Sequence, residues 1–285
     1  MRAHAIVLLA LMTAGCSLKS VALRTTGSLL RTGSAAYHTE ADPALAKDAM
    51  PGQLKLLESL LQSSPDDPRL LSALAEGYVG YSFLFLEDEA PERAKGLYRR
   101  AADYGMRLLG RKKRFRGLDR MRPEELDTAL KGAGRGDVPA LYWTAYALAG
   151  WANLDMNDPE ALAALPRAAR MMGRVLELDP GFQFGGPDIF FGVYYGVRPR
   201  IAGGDPEKSK AHFDAALSRG GGRYLTAGLL CAKYYAATVL DEALFRNLLK
   251  SVLEAPADAL PEARLANEVA KLKAKKLLEK TDDLF

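Results

Sequence analysis

The fold is decided by the stretches PALYWTAYALAGWANL (residues 139–154) and LPRAARMMGRVLELDP (residues 165–180). Each carries large and small apolar residues three and four positions apart: Trp143, Tyr146, Ala147 and Gly150 in the first, and Ala168, Met172 and Val175 in the second. This spacing places them on one face of a helix. The two stretches are therefore predicted to form two helices that pack together through these faces.

The same pattern recurs on both sides of this pair. It appears at Leu71, Leu74, Ala75 and Tyr78, then at Ala94, Tyr98 and Ala101, and again at Ser209, Phe213 and Ala216. A further pair covers residues 223–239 and 241–256, and an amphipathic helix covers 261–285. Recurring helix pairs with small residues at close approaches are typical of solenoids, and these resemble tetratricopeptide (TPR) repeats. The predicted fold is all-α, an array of antiparallel TPR-like helix pairs that forms one domain over residues 41–285.

The N-terminus carries a targeting signal. Arg2 precedes the apolar run AIVLLALMTAG (5–15), which is too short to span a bilayer, so residues 1–15 are predicted to be a signal peptide. The run leads into TAGC (13–16), which resembles a bacterial lipobox. That resemblance implies cleavage before Cys16 and its acylation, for example by palmitate, with residues 16–40 as a tether and first short helix. Because no Asp follows the cysteine, it also implies a periplasmic protein anchored in the outer membrane; a plain secretory signal is the alternative.

Catalytic, metal-binding and nucleic-acid-binding patterns are missing from the sequence. The 285-residue chain has a formal net charge of only +4, which is too small to indicate nucleic acid binding. Downstream of the signal peptide, His38 and His212 lie far apart and lack the cysteine partners or HExxH spacing of a metal site. Acidic residues alternate with basic ones, as on solvated helix faces. We therefore predict that the protein is not an enzyme and holds no metal or cofactor.

The run RLLGRKKRFRGLDRMR (107–122) is strongly basic, with eight Lys or Arg residues and one Asp. A periplasmic location argues against nucleic acid as its partner. We expect an exposed helix end followed by a loop. An acidic partner surface and anionic lipid head groups are the alternatives.

Residues 184–210, FGGPDIFFGVYYGVRPRIAGGDPEKSK, interrupt the alanine- and leucine-rich pattern. Four aromatic residues at positions i, i+1, i+4 and i+5 of a short helix form two adjacent faces: Phe190, Phe191, Tyr194 and Tyr195. One face is expected to join the core and the other to line a ligand pocket. Arg198 or Arg200 would then meet the helix C-terminus or a ligand carboxylate. The alternative places all four aromatic residues in the core and both arginines on the surface.

Glycine, proline and aspartate set the ends of this aromatic helix. Gly185 and Gly186 permit a positive φ or a close backbone approach at its start. Asp205 is expected to cap the next helix, which begins at Pro206.

Extended to residue 217, this segment resembles the signature of the TatT family, the TPR-containing lipoproteins associated with tripartite ATP-independent periplasmic (TRAP) transporters. The family pattern has a Gly-Gly pair, an aromatic helix, a proline, a Gly-Gly-Asp turn and a helix with a His-Phe pair. The matching residues are Gly185, Gly186, Gly192, Tyr194, Tyr195, Pro199, Gly203, Gly204, Asp205, Lys208, His212, Phe213, Ala216 and Leu217. Ser209 stands where alanine is usual.

The resemblance implies a non-enzymatic periplasmic lipoprotein that forms a homotrimer and partners a TRAP substrate-binding subunit. Each protomer of the family has a cleft or pore with apolar and aromatic walls, and its proposed role is to pass a hydrophobic small molecule to that subunit. The alternative from the repeats alone is a TPR scaffold lipoprotein that serves envelope assembly by binding peptides in a polar groove.

Overall fold

The computed structural model describes residues 36–285. The predicted signal peptide and Cys16 lie outside the described residues. Within 36–285 all regular secondary structure is helical, which confirms the predicted all-α class. The α-helices are α1 (Pro43–Ser63), α2 (Pro68–Tyr81), α3 (Pro91–Gly110), α4 (Pro123–Lys131), α5 (Val138–Leu154), α6 (Pro159–Leu178), α7 (Phe182–Gly196), α8 (Pro206–Gly220), α9 (Leu225–Cys231), α10 (Glu242–Glu254), α11 (Arg264–Glu279) and α12 (Thr281–Leu284).

Asp-Pro dipeptides begin four of these helices. The carboxylates of Asp42, Asp67, Asp158 and Asp205 each accept a hydrogen bond from a backbone N–H of the first turn. The proline that follows has no N–H to leave unpaired and is preset for helical φ. The cap at Asp205 confirms the prediction made for that residue from the sequence.

The predicted helix pairs pack together: α2 with α3, α5 with α6, and α9 with α10. Helix α7, which was not predicted as a member of a pair, packs against α8. Most residues of the repeat pattern are buried in these contacts: Leu71, Leu74, Ala75, Tyr78, Ala94, Tyr98, Ala101, Ala147, Ala168, Met172, Val175, Ser209, Phe213 and Ala216. Helix α3 also packs extensively against α5, so successive pairs share one core. Trp143 and Tyr146 belong to the same pattern but are only half-buried, because they line a cavity.

Helix α7 starts with a left-handed turn. Gln183, Phe184 and Gly185 have φ values of 49°, 58° and 89°. Left-handed backbone costs a non-glycine residue about 1–2 kcal/mol. The Phe184 ring packs 5.1 Å from the Tyr224 ring, centroid to centroid, and this contact offsets part of that cost.

Glycines let α7 approach its neighbours closely. A Cβ atom on Gly192 would lie 2.9 Å from the Phe213 ring of α8, and one on Gly196 would overlap the Tyr234 carbonyl oxygen. The Ser209 hydroxyl of α8 donates a hydrogen bond of 2.8 Å to the Gly192 carbonyl. The glycine spacing of the aromatic segment thus fixes how near α7 lies to α8.

Two helices continue into π-helical turns. The first π-turn, Ser82–Leu86, extends α2, and the second π-turn, Ala232–Ala236, extends α9. In each, the amide after the turn donates to the carbonyl five residues earlier, at 3.0 and 3.1 Å respectively. A π-turn inserts an extra residue into a helix and occurs frequently at functional sites.

The basic run 107–122 extends from the end of α3 through two 3₁₀ turns to the start of α4. Six of its eight cations contact protein oxygens: Arg107 with Pro65, Arg111 with Asp66, Lys112 and Arg114 with Asp137, Arg120 with Asp119, and Arg122 with Glu125. The run therefore forms the helix end and loop that were expected, and much of its charge is used within the chain.

None of the helices in residues 36–285 is both long and apolar enough to cross a membrane.

Replacing Gly196 with Ala is expected to destabilise the protein by about 1–3 kcal/mol, because the added Cβ meets backbone atoms rather than a flexible side chain. The matched control is Gly96→Ala on the exposed face of α3, where no atom lies within 4 Å of the added Cβ. That control should be neutral or stabilising by up to about 1 kcal/mol. Urea denaturation followed by circular dichroism measures both, and equal effects would contradict the packing described for α7.

Candidate ligand cavity

A cavity of about 420 Å³ lies between the start of α1, the first π-turn, α9 and α11. Its volume falls within the range of small-molecule sites in proteins, roughly 300–1,000 Å³. Its wall is mainly apolar and contains Phe83, Leu84, Phe85, Leu229, Leu230, Val269, Leu272 and Leu277. Such a wall favours a ligand that loses water-exposed apolar surface on binding.

The two π-turns place side chains at this cavity. The first supplies Phe83 and Leu84, and the second supplies Lys233. The Phe83 carbonyl accepts a hydrogen bond of 2.7 Å from Lys273 Nζ, and the same ammonium group lies 5.2 Å from the centroid of the Phe83 ring. Lys273 of α11 therefore holds the first π-turn from across the cavity.

One edge of the cavity is ionic. Asp88 pairs with Lys233 at 3.1 Å and with Lys273 at 2.8 Å, while Glu89 pairs with Lys47 and Lys276. Burial opposes ionisation of Asp88, but the two lysines outweigh it and lower the pKa of Asp88 to about 2. Asp88 is therefore ionised and fully paired at neutral pH.

Glu87 occupies a different environment beside this edge. The Tyr98 hydroxyl donates a hydrogen bond to the Glu87 carboxylate. Burial raises the pKa of Glu87, although Lys273, Tyr98 and Lys233 act in the opposite direction. Tyr98 fits here because Gly150 has no side chain: a Cβ at that position would lie 2.7 Å from the Tyr98 ring. The Tyr98 and Gly150 positions of the repeat pattern thus also hold a carboxyl group at the cavity.

Two smaller cavities, of about 90 Å³ each, adjoin the larger one at Leu84. Both are bordered by Gly80 and Trp143, and one also by Tyr146 and Phe184. The Phe83 ring meets the Tyr146 ring edge-on, with centroids 5.9 Å apart. The first π-turn therefore stands between an aromatic compartment and the cavity with the ionic edge.

The structure places the predicted pocket residues of α7 outside these three cavities. Phe190 and Phe191 are buried, and Tyr194 and Tyr195 are half-buried. Their rings stack in pairs, Phe190 on Tyr194 and Phe191 on Tyr195, with centroids 6.0 and 6.1 Å apart. His212 stacks on Phe191 at 5.2 Å. These four residues thus form a packed aromatic cluster, and a ligand-binding role for them stays a prediction.

Arg198 is directed back onto this cluster. Its guanidinium carbon lies 3.4 Å from the centroid of the Tyr194 ring, and its Nε donates a hydrogen bond of 2.9 Å to the Tyr194 carbonyl. The contact with the last helical carbonyls is one of the two roles considered for it. Arg198 also borders a separate small cavity of about 120 Å³, together with Arg200, Tyr234 and Tyr235.

The remaining motif residues form turns around α7. Gly185 and Gly203 have positive φ values of 89° and 86°. Gly186 leaves room for the Tyr142 hydroxyl, and Gly204 lies against the Arg198 carbonyl, where a Cβ would not fit. Pro199 begins the 3₁₀ turn Arg200–Ala202 that leads to Asp205.

Asp188 has a role that sequence reasoning missed. Its buried carboxylate contacts two residues of α8. His212 Nδ1 lies 2.9 Å from one oxygen, and Arg219 Nε donates a 2.8 Å hydrogen bond to the other. The His-Phe pair of the motif therefore serves to join α8 to α7.

Sequence reasoning also missed the residues of the larger cavity. One signal was present: residues 81–92 make the first repeat unit longer than a usual TPR unit, and the first π-turn lies in that surplus. Lys233 and Lys273 gave no comparable signal, because isolated lysines on helices usually face solvent. Within residues 36–285, no group of three or more His, Cys, Asp or Glu side chains is arranged to hold a metal ion.

The protein is an all-α array of repeat-like helix pairs with a mainly apolar cavity between them. The family model described as TRAP transporter T-component matches residues 39–285, and the chain belongs to this family. Membership confirms the resemblance drawn from residues 184–217 and gives the protein a role in a TRAP transport system. No curated protein matches the chain.

Replacing Glu87 with Gln is expected to stabilise the protein at neutral pH. Folding raises the pKa of the Glu87 carboxyl, so the folded state binds the proton more tightly than the unfolded state does. The resulting stabilisation is present below the ordinary pKa of glutamate and is lost as the pH rises through the raised pKa of the folded state. Gln stays neutral, and its side-chain oxygen can still accept a hydrogen bond from the Tyr98 hydroxyl. Thermal unfolding of both proteins should show a higher Tm for E87Q at neutral pH and no advantage below the ordinary pKa of glutamate. A pH-independent difference would contradict the raised pKa.

Proposed function

We propose that the protein is a non-enzymatic component of a TRAP transport system that binds a hydrophobic small molecule in the 420 Å³ cavity and passes it to the substrate-binding subunit. The observation that carries this proposal is the apolar wall built by the first π-turn, α9 and α11. Exclusion of water from a ligand against such a wall contributes about 0.8 kcal/mol for each buried methylene group.

The two ion-paired carboxylates at the edge of the cavity, Asp88 and Glu89, support binding rather than catalysis. Asp88 and Glu89 are each held by two lysines, so their charges are committed to ion pairs. A general acid or base needs a proton that it can exchange near the working pH, and a pKa of about 2 does not give Asp88 that property. Cys231 is a buried thiol whose pKa burial raises to about 12, which disfavours the reactive thiolate.

The alternative, a scaffold that binds peptides, predicts an open polar groove. The mainly apolar wall of the larger cavity supports a small-molecule ligand over an extended peptide.

For location and assembly we propose the arrangement expected from the lipobox-like sequence and from the family. Cleavage after residue 15 exposes Cys16 for acylation, and the acyl chains anchor the protein to the outer membrane on its periplasmic side. The protein forms a homotrimer there and meets the TRAP substrate-binding subunit.

The anchor is tested with Cys16→Ser in the full chain. The native protein should incorporate a labelled fatty acid and fractionate with membranes, and the variant should lose both properties. Sedimentation of the detergent-solubilised native protein should give the mass of three chains. An unlabelled native protein would exclude the anchor, and a monomer would exclude the trimer.

The cavity is tested with Leu272→Glu. Leu272 is 53% exposed, so the substitution should leave the fold intact while placing a negative charge on the apolar wall. Calorimetric titration with decanol as the apolar probe should show binding to the native protein and a loss of about tenfold or more in the variant.

The matched control for this test is Leu56→Glu. Leu56 is 57% exposed on α1 and borders none of the three cavities. It should leave decanol binding unchanged. Equal losses in the two variants, or no binding of decanol to the native protein, would contradict the assignment of the cavity.

A further inference from the structure

We propose that Phe83 sets an upper limit on the length of the hydrophobic molecule that binds in the 420 Å³ cavity. Its ring closes this cavity toward the aromatic compartment, which is the 90 Å³ cavity bordered by Trp143, Tyr146 and Phe184. The inference rests on the proposed function, and it adds the residue that selects among hydrophobic ligands.

Phe83 and Leu84 stand where the large cavity meets the smaller ones. Of the described residues, only these two line the large cavity together with a smaller one. Phe83 is half-buried, as expected for a side chain with space on more than one side. A ligand that extends from the large cavity toward the aromatic compartment must therefore pass these two side chains, of which Phe83 is the larger.

Contacts from both sides of this boundary hold the Phe83 ring. Tyr146, which lines the aromatic compartment, meets the ring edge-on with centroids 5.9 Å apart. Lys273, which lines the large cavity, places its Nζ atom 5.2 Å from the centroid of the Phe83 ring. Both kinds of contact are attractive. The ring therefore forms a fixed end wall rather than a flap that a ligand can push aside.

The aromatic compartment behind this wall offers further apolar surface, including Val79, Phe184 and Ile189. Without the Phe83 ring this space would join the large cavity, and a longer ligand could bury additional methylene groups there. Each buried methylene group raises the affinity about fourfold. The ring thus excludes from binding the part of a ligand that exceeds the large cavity.

Gly80 of α2 allows the smaller cavities to be filled separately. It borders both of them and does not border the large cavity. A Cβ atom at this position would have no atom within 4 Å, so a leucine side chain has room there. Gly80→Leu therefore reduces the space behind Phe83 and leaves the large cavity unchanged.

The length limit is measured by equilibrium dialysis with radiolabelled linear alcohols from octanol to hexadecanol. For the native protein the affinity should rise about fourfold with each added methylene group and level off once the chain reaches Phe83. In Phe83→Ala the rise should continue, and an alcohol two carbons beyond the native limit should bind at least about tenfold more tightly to the variant. The variant keeps the frame of the cavity, because Lys273 donates its hydrogen bond to the backbone carbonyl of Phe83 and pairs with Asp88.

Two double variants locate the gain in affinity. Adding Gly80→Leu to Phe83→Ala should restore the native limit, because leucine then occupies the space that the longer alcohols would enter. The matched control adds Gly96→Leu to Phe83→Ala. It places the same side chain on the exposed face of α3, where an added Cβ also meets no atom within 4 Å, and it should keep the longer limit.

The same limit in the native protein and in F83A, or a native affinity that rises as far as hexadecanol, would overturn the role of Phe83 while leaving the cavity assignment intact. Failure of every alcohol to bind the native protein would instead overturn the proposed function itself. Thermal unfolding shows whether each variant is folded. If F83A is not, Gly80→Leu alone decides: it should leave the native limit unchanged, whereas a shorter limit would show that ligands already pass Phe83.

Discussion

The cavity depends on one ion-pair cluster, in which Asp88 binds both Lys233 and Lys273. Asp88 follows the first π-turn, Lys233 lies in the second, and Lys273 belongs to α11, so the cluster joins three elements that are distant in sequence. Its groups remain partly exposed, and such pairs contribute little to stability, about 0–1 kcal/mol each. Its main effect is to link these three elements, all of which border the cavity.

The π-turns explain how a repeat fold acquires an internal space. Regular TPR-like pairs fill the volume between their helices with side chains, as α5 and α6 do around Ala168 and Met172. A π-turn changes the direction of the side chains at the end of a helix and leaves a carbonyl without its usual partner. Lys273 satisfies that carbonyl at Phe83. The same residue thus completes the backbone hydrogen bonding of the turn and contributes charge to the cavity.

The helix pairs could be predicted from the sequence because the information is local. The Asp-Pro dipeptides mark helix starts, and residues such as Ala94 and Phe213 repeat at helical spacing. The cavity could not be predicted, since it depends on contacts between residues far apart in the chain; Phe83 and Lys273 are separated by 190 positions. Trp143 was assigned to packing by its spacing, but a helical pattern does not distinguish a side chain that meets a neighbour from one that meets a void. The aromatic residues of α7 left the same two interpretations open, and in the structure their rings pack on one another.

The most direct measurement is a crystal structure of the protein with a decanol that carries bromine at the end of its tail. The anomalous signal of bromine locates the tail without any prior placement of the ligand. We expect one bromine peak between Phe83 and Leu229, inside the cavity. A peak among the stacked aromatic side chains of α7, or bromine confined to the outer surface of the protein, would contradict the assignment of the cavity as the ligand site.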